Sequence, residues 1–171
     1  RGINKIKVRA TNTRGVHTLF ETYIVQHVDT GRKMPTIFLV GIGATHSTTL
    51  PLTNLHQDLV DVIAAFRAHQ HGKYNLVVDT LFEKRAGAGA IKAVGSRLRQ
   101  HVSAHDAVIV FYSGHGLSRG SKEVELGVYD STAGATRVKM PFTELENLMK
   151  DLPSRKKMLL VNACHSGEYN A

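Results

Sequence analysis

The sequence predicts an α/β fold, a doubly wound and mainly parallel sheet with helices on both faces, preceded by a β-hairpin. Three observations predict it. Four segments of strand length, TIFLVGI (36–42), NLVVDTLF (75–82), AVIVFY (107–112) and KMLLVNA (157–163), are rich in apolar residues, and the first is a continuous apolar run, as in a strand covered on both faces. Between them lie segments whose apolar residues recur at helical spacing. Repeated succession of strand and helix is the pattern of parallel crossover units.

The chain has 171 residues, 42% of them hydrophobic, which is enough for one domain core and a short appendage. Its first residues differ from the rest. IKVRATN and HTLFETYIVQHV are rich in strand formers and flank TRG, a turn former, so residues 3–28 read as a hairpin. This hairpin is either an edge ribbon or the end of an upstream β-sandwich domain. DTGRKMP (29–35) reads as a linker, dividing the chain into residues 1–33 and a domain over 34–171.

Within that domain the elements follow in order. After the strand at 36–42, Leu55, Leu59, Val62, Ile63 and Phe66 mark a helix, with Asn54 as N-cap and Gln57 placed to complete a capping box. The strand at 75–82 is followed by glycines at 87 and 89 and a helix with Ile91, Val94, Leu98 and Val102 on one face. The third strand, 107–112, leads through the LSRGS turn into KEVELGVYD (122–130), an extra hairpin. Past Pro141, the spacing of Phe142, Leu145, Leu148, Met149 and Leu152 predicts a helix, and 157–163 is the fourth buried strand.

Composition narrows the function classes. No apolar run approaches the roughly 18 residues that span a bilayer, and the basic N-terminus lacks the apolar stretch of a secretory signal. The single cysteine, Cys164, excludes an intrachain disulfide, and a cytoplasmic location is expected. The net charge of +8 is scattered along the chain without interleaved aromatic residues, so neither a nucleic-acid nor a membrane partner is expected. Ten histidines occur without ligand spacing, Glu123 and Glu125 are too few for a calcium site, and GIG (41–43) lacks the third glycine of a dinucleotide loop. No metal or cofactor is expected.

The informative stretch is VIVFYSGHG (108–116), in which a strand ends in a histidine held between two glycines. In doubly wound sheets the reactive crevice lies beyond the carboxyl ends of the strands. His115 follows the third strand and Cys164 the fourth, so if the two strands are neighbours the imidazole and the thiol emerge on one rim. That pair is the minimum apparatus for nucleophilic acyl transfer. Gly116 gives close approach for a substrate, and its N–H is a candidate oxyanion donor together with that of Cys164. Ser113 and Ser166 have no independent base and read as turn residues.

Together, YSGHG and NACHSG resemble the caspase-like cysteine peptidases, which include caspases, metacaspases, paracaspases, legumains and CHAT-type bacterial proteases. In that superfamily a strand ends in an aromatic-Ser-Gly-His-Gly motif and the next core strand in the nucleophile motif. The resemblance covers about residues 34–167, and an acidic residue like Asp58 recurs in its first helix. It implies a bacterial cysteine endopeptidase with His115 as acid–base group, Cys164 as nucleophile and the amides of Gly116 and Cys164 as oxyanion hole. Asn162 falls at the floor of the substrate's P1 pocket. Metacaspase-like members carry an acidic residue there and prefer Arg or Lys, and NACHSG is closest to their form. The arginine that caspases carry before the first helix is missing, which argues against cleavage after aspartate. His165 reads as pocket wall. The resemblance further implies that residues 34–171 are a large-subunit part, completed by a small-subunit segment or chain. It also implies a zymogen activated by proteolytic processing, with an upstream regulatory domain or activating protease as partner beside the peptide substrate. The alternative is a caspase-like module that binds or signals without catalysis.

Overall fold

The computed structural model describes residues 3–26, 34–44, 52, 54–118, 124–130 and 135–164. The chain divides into two compact units, Arg1–Lys33 and Met34–Ala171. Much of the linker expected at 29–35, the LSRGS turn from residue 119 on, Glu123, His165 and Ser166 lie outside the described residues.

The first unit is a two-stranded antiparallel ribbon, β1 (Ile3–Val8) and β2 (Glu21–Gln26), with Ile6 opposite Tyr23 and Val8 opposite Glu21. Its turn is organised by Asn12, whose Oδ1 accepts from the N–H groups of Arg14 and Val16. Gly15 takes a φ of +78°, in the left-handed region that glycine tolerates best.

In the second unit a parallel sheet runs in the order β4 (Asn75–Phe82), β3 (Thr36–Ala44), β5 (Ala107–Gly114) and β9 (Lys156–Asn162). Side chains alternate across a sheet, and the two faces have different cover. Val40, Ile42, Ala44, Val108, Val110 and Tyr112 join the main core with residues of α2 (Ala88–His101) and α3 (Thr143–Lys150). The other face, with Leu39, Gly41 and Gly43, lies beneath α1 (Leu55–Ala68). Glycine at 41 admits the Leu59 side chain, since a Cβ there would stand 2.6 Å from Leu59 Cδ2 and make that side chain shift. The GIG run therefore serves as a shelf that lets α1 approach the sheet.

Beyond β5 the chain builds a second, antiparallel sheet in the order β6 (Gly116–Ser118), β7 (Val124–Asp130) and β8 (Ala135–Pro141). The expected extra hairpin over 122–130 is thus a single strand, paired on both sides. β8 has no counterpart among the sequence expectations, although Val138 and Met140 alternate with Arg137 and Lys139 along ATRVKMP.

Two local expectations are corrected. Asn54 precedes α1 but makes no side-chain cap bond, and Gln57 Nε2 donates to Asp61 Oδ1 at 2.7 Å instead of returning to the N-terminus. The fourth strand is not covered on both faces. Leu159 and Val161 pack on the main core, but Met158 (51% exposed) and Leu160 (37%) lie on the α1 side, where that helix packs mainly on β3, β4 and β5 and meets β9 at its last residue, Asn162. Lys157 Nζ donates to the carbonyls of Met149, Lys150 and Leu152, so a cation from β9 caps the carbonyl end of α3.

Candidate active site

The sheet register fixes the candidate residues. β5 and β9 are neighbours, and their last pair is Ser113 opposite Asn162. His115 and Cys164 each lie two positions further along, so both follow the carboxyl ends of adjacent parallel strands. This is the rim where the two sequence motifs were expected to meet. Cys164 is exposed and His115 partly buried.

The contact between the two motifs is direct. A Cβ placed on Gly116 would run into the Cys164 carbonyl oxygen and stand 3.1 Å from Ala163 Cβ. The obstacle is main chain, which cannot swing aside as a flexible side chain could. Only a glycine lets the histidine loop close against the cysteine turn. Gly116 faces Leu126 across the β6–β7 pair, while the neighbouring Gly127 N–H bonds to His115 O at 2.8 Å. In that antiparallel pattern Gly116 and Leu126 form a non-hydrogen-bonded pair, which turns the Gly116 N–H away from β7.

Below this rim lies a polar cluster. Ser113 Oγ donates to Asp58 Oδ2 at 3.0 Å, and Asn162 Nδ2 reaches the same oxygen at 3.1 Å and Ser113 Oγ at 3.2 Å. Leu55 and Leu59, one helical turn apart, are buried and seat α1 on the sheet, with Leu59 over the glycine shelf of β3. Asp58, next in the helix, then turns its carboxylate toward the ends of β5 and β9. Asn162 is exposed and Ser113 fully buried, so the cluster runs from solvent into the core.

Ser113 reads from sequence as a turn residue, whereas it is the last but one residue of β5 and a donor to a carboxylate. Asp58 reads only as an acidic position in a helix. Nothing local could have linked residues separated by 55 and 104 positions. Among the described residues, no group of three or more His, Cys, Asp or Glu side chains comes together as metal ligands.

The chemistry available is that of an exposed thiol and an imidazole on one rim, glycine main chain packed against the cysteine turn, and one carboxylate held by two neutral donors beneath. A family model for the caspase domain matches residues 38–171, a span holding all of these groups. No relative of the chain is found among curated proteins.

Proposed function

Since the chain belongs to the caspase domain family, whose members are cysteine peptidases, we propose that it is a cysteine endopeptidase working through His115 and Cys164. The observation that carries this reading is the packing of Gly116 against the Cys164 carbonyl at the ends of paired strands, which brings the two motifs to one rim. In the reaction His115 takes the proton of the Cys164 thiol, the thiolate adds to the substrate carbonyl, and the N–H groups of Gly116 and Cys164 receive the developing oxyanion. Collapse of the tetrahedral adduct breaks the C–N bond, and His115 gives a proton to the departing amine. A thioester remains. Water, deprotonated by His115, then adds to it and releases the carboxylic acid and the free thiol.

A basic P1 residue fits the cluster beneath the rim. The residue at the P1 floor, Asn162, is neutral, but its amide donates to Asp58, and that carboxylate supplies the negative charge an arginine or lysine would meet. Asn162 thereby orients the charge instead of carrying it. The α1-side apolar groups of β9, Met158 and Leu160, and the outer position of that strand suit further strands from a small-subunit segment or chain. Activation by cleavage, an upstream regulatory partner and a cytoplasmic setting belong to the same reading.

The test is hydrolysis of peptides that differ only at P1 (Arg, Lys, Asn, Asp, Leu), using the full-length protein with Cys164→Ala and His115→Ala variants. Cleavage after Arg or Lys that both variants lose is the expected result. Retained cleavage in either variant overturns the dyad. Silence across the panel after limited proteolysis favours a non-catalytic binding module.

A further inference from the structure

Tyr112 heads the largest wholly buried side chains among the described residues, yet it carries a hydroxyl. The ring lies on the core face of β5, opposite the Asp58 cluster. Its Oη is 2.9 Å from the carbonyl oxygen of His115 and 2.8 Å from that of Gly127. The His115 carbonyl also accepts the Gly127 N–H at 2.8 Å. A phenol has one proton to donate, so it is shared between two carbonyls that belong to the histidine loop and to β7. The result is a closed polar knot tying β5, His115 and Gly127 together from behind the rim.

The chain is built around this knot. A Cβ on Gly114 would stand 2.8 Å from Tyr112 Cζ, so glycine at 114 lets the ring pass beneath the main chain to reach His115. An apolar side chain would fill the same space without needing partners, whereas a buried hydroxyl is costly unless it is bonded. We infer that Tyr112 is a positioning residue, which fixes the backbone of His115 on β7 and so aims the imidazole across the rim toward Cys164. This inference rests on the reading of His115 as the acid–base group. Burial also pushes the Tyr112 phenol well above its ordinary ionisation range, so the donor persists at every working pH.

The experiment compares Tyr112→Phe with Ser154→Ala in the full-length protein. Ser154 is a second buried hydroxyl, bonded to the carbonyls of Asp106 and Lys156 at the opposite end of the sheet, so its loss is a structural control. Tyr112→Phe is expected to fold, to keep its KM and to lose about 3- to 10-fold in kcat, as the loss of one aiming hydrogen bond predicts. Amide exchange at Gly127 should quicken in this variant. Ser154→Ala should lower stability with kcat unchanged. A wild-type kcat in Tyr112→Phe, or an equal loss in Ser154→Ala, overturns the inference while an inactive His115→Ala leaves the peptidase reading standing. Full activity in His115→Ala overturns both.

Discussion

Asn162 donates its side-chain amide to the Asp58 carboxylate over 3.1 Å, joining residues 104 positions apart in the chain. Ser113 donates to the same oxygen, which leaves Asp58 as the one acidic group of a three-membered polar cluster. The charge of the proposed P1 pocket therefore resides on the helix, and the strand residues hold it in place.

Moving that charge should move the specificity. Asp58→Asn is expected to lower kcat/KM for Arg and Lys at P1 by about 30-fold or more, the scale of truncating one partner of a bonded charge pair. Combining it with Asn162→Asp relocates the carboxylate by one hydrogen bond and should restore part of the preference. Asn162→Asp alone sets two carboxylates side by side, and it tests whether a second carboxylate beside the first sharpens or spoils the preference. The P1 panel reads all three variants, and an unchanged Arg preference in Asp58→Asn would count against the pocket.

Gly116→Ala should separate catalysis from folding. The new methyl meets the Cys164 carbonyl, so the histidine loop must back away from the cysteine turn. Overpacking of this kind costs about 1–3 kcal/mol in stability, and a displacement near 1 Å costs about 100-fold in rate. Thermal unfolding and single-turnover kinetics of the variant measure the two effects. Unimpaired turnover would mean that the contact is incidental.

Acid stability should report on Asp106, at the amino end of β5. Burial alone would raise its pKa, but hydrogen bonds from the Ser103 hydroxyl and from the N–H groups of Thr36 and Ser103, helped by nearby His105, outweigh burial and hold it below the ordinary carboxylate range. A depressed folded-state pKa adds stability that is complete above the unfolded value of about 3.9 and fades as pH falls through the folded value. Unfolding free energies of the native protein and Asp106→Asn from urea titration should differ by about 1–3 kcal/mol at neutral pH. The gap should begin to close as pH falls below about 4 and vanish below the folded-state value, and a pH-independent gap would assign the effect to packing.

Much of this protein could be read before folding it. The continuous apolar runs at 36–42 and 107–112 and the helical spacing of Leu55, Leu59 and Ile91, Val94, Leu98 specify the parallel sheet and its cover, because burial on two faces demands uninterrupted apolar side chains. His115 and Cys164 stand out for a related reason. Each follows a strand whose end must lie at the open edge of such a sheet, and glycines leave room beside them.

Other features depend on which strand lies beside which. That Ser113 meets Asn162, and that both meet Asp58, follows from the register of β5 with β9 and from the docking of α1 on a glycine shelf. Residue spacing along the chain carries no information about either. The exposure of Met158 and Leu160 follows from the reach of a helix far away in sequence. Tyr112 looks in sequence like one more aromatic residue of a buried strand. Only the folded chain returns the carbonyls of His115 and Gly127 to its hydroxyl, because hydrogen bonds select partners by position in space while burial preferences are written residue by residue.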